Sequence, residues 1–316
     1  MKGLIKIRHI FMINPAAGKS DCSEKMRAEI ESVCGKYGIE PLICISEHEN
    51  YEREMTAKMC SFFSNEEIRI YSIGGSGSLL NVISGITDFA NTEVACCPAG
   101  LTNDMLKSFR DPSLFSAIDN LVNGRVMQMD LMELNGSILV PDFISIGAGT
   151  PKESEGAFIK LAGLLKPALP YRLGIFIDFL SNRCCDLTVT VNGTDYSGKY
   201  ILAACFNGRC MGGNVYPVRS SVPNDGIMDV VLAEEMPLSE KFSALKACTN
   251  GVSSAPNSKL HLIRTSRIDF RLNSDEPMKL NCDGEVITIN QKAFSVRLLP
   301  NKLKFVVPEG AELVYC

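Results

Sequence analysis

The chain has no tryptophan and only three histidines among 316 residues, so a metal centre built on imidazole is poorly supplied. It also has no CxxC pair: Cys96-Cys97 and Cys184-Cys185 are adjacent, and four residues separate Cys205 from Cys210. Without ligand spacing, the 13 cysteines read as small buried hydrophobes of a reducing compartment rather than as a zinc site or a disulfide framework. No apolar run reaches the roughly 18 residues that span a bilayer. The opening "MKGLIKIRHIFMINP" is too short and too charged for a secretory signal, and it is expected to hold the first strand of a cytoplasmic protein. Any membrane contact is then peripheral, with no transmembrane segment. Dense basic stretches are missing as well. With a net charge of −4, nucleic acid is not an expected partner.

What is present is a globular composition, 46% hydrophobic and 22% charged, over a length that suits two domains. Apolar runs at "HIFMI", "PLICIS", "IRIYSI" and "EVACCP" are separated by helical patterns, such as Met26, Ile30, Val33, Cys34 and Tyr37 at i, i+4, i+7, i+8 and i+11. Asp21 and Glu24 make a capping pair before the first of these helices. Strands and helices alternating at this spacing predict a parallel sheet covered on both faces, with ligands at the carboxyl ends of the strands. After about residue 130 the rhythm becomes two-residue alternation, as in "DLTVTVNGTDYSGKYILAACF" around Asn192-Gly193, a hairpin signal. One strongly apolar stretch, 155–181, reads as a helical excursion. Its Phe158, Leu161, Leu164, Leu165, Ile175, Phe176 and Phe179 either border an acyl groove or, the favoured reading, pack on a sandwich. The expected division is an α/β domain, 1–130, to which a terminal segment, 302–316, returns, and an all-β sandwich domain, 131–301.

Four stretches at predicted element ends carry chemistry. "NPAAGKS" (14–20) follows the first strand, where Gly18 admits a ligand close to backbone and Lys19 adds a point charge. "GGSGS" (74–78) follows the third strand and opens a helix, a nest of N–H groups suited to an anion. "PAGLTNDMLKSF" (98–109) follows the fourth, with Asp104 placed to hold Mg2+ through water or, more blandly, to cap a helix. "NCDGEV" (281–286) sets Asp283 and Glu285 around a glycine in the β region, which alone is an ordinary Asp-Gly turn.

In this order and at these intervals the four stretches resemble the diacylglycerol kinase catalytic-domain family, bacterial lipid kinases related to sphingosine and ceramide kinases. That family shows NPxxG, GGDGT, PxGTxND and a late DGE. The likeness extends through "SAIDNLVNGRVMQMDLMELNG" and "FNGRCMGGNVYPVRSSVPNDGIMDVVL", and so covers nearly the whole chain. It implies a kinase-like parallel-sheet domain, a β-sandwich domain for a lipid substrate at the membrane surface, an active site in the cleft between them, and ATP and Mg2+ as cofactors. Carried over by position, Asn14, Pro15, Gly18, Lys19, Gly74, Gly75, Ser76, Gly77, Ser78, Thr102 and Asn103 would contact the nucleotide, with Ser46 a weaker contact. Asp104 and Asp130 would organise Mg2+. Glu285 would be the general base on the lipid hydroxyl, with Asp283 beside it. Asp225 matches an acid that holds a structural Mg2+ in some members. Similar proteins occur as dimers, and a homodimer stays open.

Two departures fall inside the nucleotide motifs. Ser76 stands where the family has an acid, and Leu101 where it has threonine, with Thr102 next. A hydroxyl is a weak ligand for a hard cation. Two readings therefore stay open: a working ATP-dependent lipid kinase, and an impaired pseudokinase that binds nucleotide or lipid as a sensor or scaffold. A glycine loop of this type also occurs in NAD kinases and phosphofructokinases. The NPxxG start and the late DGE favour the lipid branch.

Overall fold

The computed structural model describes residues 7–18, 20–100, 102–148, 179–180, 184–252, 258–275 and 277–315. Lys19, Leu101 and the 155–181 stretch other than Phe179 and Leu180 lie outside the described residues. The chain divides into two compact units, Met1–Met129 with Asn301–Val314, and Asp130–Pro300 with Tyr315–Cys316.

The first unit is a parallel sheet. Strands β1 (Arg8–Ile13), β2 (Leu42–Ile45), β3 (Ile68–Gly74) and β4 (Thr92–Pro98) run in the order β2-β1-β3-β4, and the end of a long strand, Ala293–Val307, pairs parallel to β4. Every residue of β3 is buried, as a strand covered on both faces requires. Three helices cross between these strands: α1 (Ser23–Tyr37), α2 (Tyr51–Phe62) and α3 (Ser76–Gly85). Helix α1 buries Met26, Ile30 and Cys34 on one stripe and ends at Gly38 in the left-handed region (φ 65°). Its N-cap is Cys22, without a side-chain cap. Asp21 instead accepts the Ser23 N–H at 2.8 Å, because a carboxylate one residue early closes an Asx turn and cannot reach the third turn residue. A short helix, α4 (Ile118–Val122), leads into β5 (Arg125–Leu134). Across the sheet, Arg69 donates to Glu93 Oε2 at 2.7 Å and to the Leu121 and Val122 carbonyls, a nearly buried ion pair with its donors satisfied.

The order β2-β1-β3 reverses direction between β1 and β3, the point where open α/β sheets bind ligands.

The second unit is an antiparallel β-sandwich domain. It holds β6 (Ile138–Val140), β7 (Phe143–Gly147), β8 (Cys185–Val191), β9 (Thr194–Asp195), β10 (Gly198–Phe206), β11 (Met228–Glu234), β12 (Leu260–Thr265), β13 (Arg267–Leu272), β14 (Met278–Cys282), β15 (Glu285–Ile289) and the start of β16 (Ala293–Val307). Its strands pair in the order β15-β14-β7-β10-β8-β13-β16, with β11 on β10 and β12 on β11. Asn192 and Gly193 form the two-residue turn of a hairpin, both at positive φ (51° and 79°), the geometry the Asn-Gly pair favours. Helix α5 (Leu238–Asn250) was not legible as such beside the β rhythm. Its buried Lys241, Ala244 and Cys248 nonetheless recur at i, i+3 and i+7. Phe179 is fully buried in a core with Phe143, Phe206, Val231 and Cys248, as core packing rather than groove lining requires.

The cysteines among the described residues are free thiols. Burial pushes Cys97 and Cys248 up to about 12, and Cys96, Cys205 and Cys282 higher still, so none of these five offers a thiolate at neutral pH.

Candidate active site

Three loops meet at the carboxyl ends of β1, β3 and β4. They meet because their glycines have no side chains. A Cβ at Gly100 would collide with the backbone of Gly75, one at Gly74 with the Ser78 side chain, and one at Gly18 would lie 2.6 Å from the Ala99 carbonyl. Gly18 also sits at φ 90°, which other residues rarely adopt. Main-chain bonds lock the same contact: the Ala99 and Gly100 N–H groups donate to the Gly74 carbonyl at 3.0 and 2.9 Å, and the Ser76 N–H to the Thr102 carbonyl at 3.0 Å.

Side chains complete the junction. Asn14 donates through Nδ2 to Ser78 Oγ at 2.9 Å and accepts the Ala16 N–H on Oδ1 at 3.0 Å, so it ties the first loop to the first turn of α3. Asn103 reaches the Gly74 carbonyl at 3.4 Å and accepts from the Cys96 thiol. Pro15, Gly18, Gly75, Ser76, Gly77, Thr102 and Asn103 are half-buried, whereas Ser78 and Asp104 are buried. Ser46, just past β2, donates its N–H to the Ile13 carbonyl at 2.8 Å, and its buried hydroxyl has no partner among the described residues. Helix α3 opens at this junction with Gly75 as N-cap and no side-chain cap. The first N–H groups of a helix have no partner inside it, and together with the dipole they favour an anion.

Ser76 is the first residue of α3, and its Oγ accepts the Asp104 N–H at 3.3 Å. The hydroxyl thus holds the loop in front of the 3-10 turn Met105–Ser108, whose N-cap is Asp104. Asp104, 3% exposed, is a single carboxylate beside an anion nest. Mg2+ is ordinarily held by one or two carboxylates plus substrate phosphates and its own waters, so this donor set fits it. Among the described residues no group of three or more His, Cys, Asp or Glu is placed to hold a metal ion without such a substrate.

The acidic residues expected in the β region have distinct roles. Asp283 is buried and accepts the Phe143 N–H at 2.7 Å and the Asp142 N–H at 3.2 Å. Its carboxylate therefore pins the start of β7, and Asp283 and Gly284 at φ 50° and 95° turn the β14–β15 hairpin. Glu285, the first residue of β15, is exposed. Asp130 is fully buried in the second unit, where its Oδ2 accepts the Gly226 N–H at 2.8 Å. Asp225 accepts the Ile227 N–H at 3.1 Å and is ion-paired with Arg264, whose Nε is also 3.4 Å from Asp229 Oδ1. Burial pushes the Asp229 carboxyl above the usual range, with Ser221 and Arg264 opposing it. A carboxylate already held by a guanidinium does not fit a structural Mg2+ at Asp225. Asn207, whose Nδ2 donates to the Asp130 and Pro141 carbonyls, and Asp229 both lie within the "FNGRCMGGNVYPVRSSVPNDGIMDVVL" stretch, whereas Arg264 carried no motif signal, since strand register alone brings it opposite Asp229.

Fold and site together define a kinase-type architecture, and the comparisons agree. Residues 8–134 match the diacylglycerol kinase catalytic domain, and residues 156–307 match the YegS C-terminal NAD kinase beta sandwich-like domain. By these two matches the chain belongs to the diacylglycerol kinase catalytic-domain family of lipid kinases. It is 25% identical to the diacylglycerol kinase of Bacillus subtilis (strain 168) over 226 residues, 68% of this chain and 70% of that one. Among solved structures, a diacylglycerol kinase from Bacillus anthracis str. Sterne superposes with a TM-score of 0.68 at 15% identity, covering 96% of this chain and 97% of that one. An NAD kinase from Archaeoglobus fulgidus in complex with ATP gives a TM-score of 0.51 at 11% identity, covering 95% and 94%. These two likenesses show the fold.

Proposed function

We propose that the protein transfers the γ-phosphate of ATP to the hydroxyl of a membrane lipid, diacylglycerol or a similar acceptor. The observation that carries this reading is the junction of the three strand-end loops, where Gly18, Gly74 and Gly100 permit contacts that no side chain would allow. Asn14, Pro15, Gly18, Thr102 and Asn103 line the nucleotide, with Ser46 at the margin and Lys19 assigned to it by its place in the "NPAAGKS" stretch alone, and Gly74, Gly75, Ser76, Gly77 and Ser78 cradle its phosphates. Asp104 would hold Mg2+ beside the phosphates, with Asp130 as a further acid, and the ion would supply charge neutralisation for the transferring group. Glu285 takes the proton of the acceptor hydroxyl, and its exposed position suits a base that meets a substrate from outside. Asp283 positions the hairpin that carries it. No helix among the described residues is long and apolar enough to cross a membrane; a lipid met at the membrane surface is part of this reading and rests on the family resemblance.

The second reading, a binding protein with little turnover, draws on one observation: Ser76 presents a neutral hydroxyl, already engaged by the Asp104 N–H, where the family has an acid. Transfer of label from γ-labelled ATP with Mg2+ separates the two, over a panel of acylglycerols and sphingoid bases, with NAD as a water-soluble control. Label in an organic-extractable product supports the lipid kinase. Label in NAD alone, or in no acceptor, overturns it.

A further inference from the structure

We propose that Arg264 stands in the second unit where a divalent cation would otherwise be needed: its guanidinium closes the Asp225–Asp229 acidic pair, and the turn 222–227 holds its shape without metal. Two carboxylates lie four residues apart in "DGIMD" (225–229), and the Asp229 side chain is only 3% exposed. Negative charge buried at that depth demands an opposite charge. The β11–β12 register sets Arg264 directly opposite Asp229. From there one nitrogen, Nε, faces Asp229 and another, Nη2, binds Asp225. A forked, planar cation suits two carboxylates at once, because its N–H donors are fixed in different directions.

Two carbonyls of the turn and the second Asp225 oxygen are also engaged. The Pro223 carbonyl accepts the Asp130 N–H at 2.8 Å, and the Val222 carbonyl accepts the Asn224 N–H at 2.9 Å. Asp130 Oδ2 in turn accepts the Gly226 N–H at 2.8 Å, and Asp225 Oδ1 the Ile227 N–H at 3.1 Å. A cation entering here would have to displace a charged group and compete for main-chain acceptors. One consequence is that chelation should act on phosphate transfer and leave the fold of the second unit alone.

The test uses the nucleotide-free full chain. It compares the change in melting temperature on passing from chelator to excess magnesium chloride in the wild type, Asp225→Asn, Arg264→Ala and the double variant. The wild type and Asp225→Asn should show the same magnesium response, because any metal bound is bound elsewhere. Arg264→Ala should melt at least about 4 °C lower, and magnesium should recover part of that loss. The recovery should vanish in Arg264→Ala/Asp225→Asn. A magnesium response present in the wild type and lost in Asp225→Asn overturns the proposal. So does an Arg264→Ala protein that melts like the wild type or ignores magnesium. If Arg264→Ala does not fold, the wild type and Asp225→Asn decide alone: equal responses support the proposal, and unequal ones refute it.

Discussion

Replacing Ser76 by aspartate puts a carboxylate at the first residue of α3, beside the Asp104 N–H that Ser76 Oγ now accepts at 3.3 Å. The structural effect is small and favourable. An acid in a first helical turn contributes about 0.3–1 kcal/mol through the dipole. A carboxylate oxygen also accepts the Asp104 N–H as a hydroxyl does, so melting should move by no more than a few degrees. The catalytic effect is large. Loss of one charge-organising group near a reacting centre costs about 10²-fold, or about 2.7 kcal/mol. Ser76→Asp should therefore raise the rate of lipid phosphorylation about 10²-fold, and lower the Mg2+ concentration needed for half-maximal rate, at nearly unchanged ATP affinity. Initial rates of label transfer under Mg2+ titration, normalised to folded protein, measure this. A wild type as fast as Ser76→Asp would show that the hydroxyl is no handicap. A slower Ser76→Asp would show that position 76 does not face the metal.

Four further outcomes are expected. Glu285→Gln should lower transfer at least about 10²-fold while the rise in melting temperature on adding ATP stays as in the wild type, since a lost base affects chemistry and not nucleotide binding. Gly100→Ala drives a methyl into Gly75 and should destabilise by about 1–3 kcal/mol in denaturant titration, with ATP protection reduced. Arg69→Met leaves Glu93 buried and unpaired and should cost about 3–5 kcal/mol, much of it restored in Arg69→Met/Glu93→Leu. Burial, with Arg69 nearby, pushes His9 down to about 4 from 6.5, so the unfolded chain takes up its proton first as pH falls. Stability should thus decline between pH 6.5 and pH 4, by about 1–2 kcal/mol after allowance for partial exposure, and His9→Gln should flatten that decline.

Much of the first unit was legible because its signals are local. Apolar runs closed by Asn-Pro or Gly-Gly mark strand ends, and strand ends are where a parallel sheet gathers its ligands. The hairpin at Asn192-Gly193 was legible for the same reason, since those two residue types supply the positive φ that the turn needs. What stayed hidden depends on register. Nothing near Asp225 announces Arg264, which arrives from a strand more than thirty residues on. Asp283 reads as a turn residue or a catalytic neighbour, and only the fold shows its carboxylate on the N–H groups of Asp142 and Phe143. Helix α5 was missed because its stripe is made of alanine, cysteine and the stem of Lys241, which hydropathy ranks low.

The most direct test of the account is amide hydrogen exchange of the intact chain with and without Mg2+ and ATP, read peptide by peptide. If the three strand-end loops form one phosphate cradle, nucleotide should slow exchange together in the segments 14–18, 74–78 and 99–104 and leave the 186–195 hairpin unchanged. Slowed exchange elsewhere with these three segments unaltered, or protection of one of them alone, would contradict it.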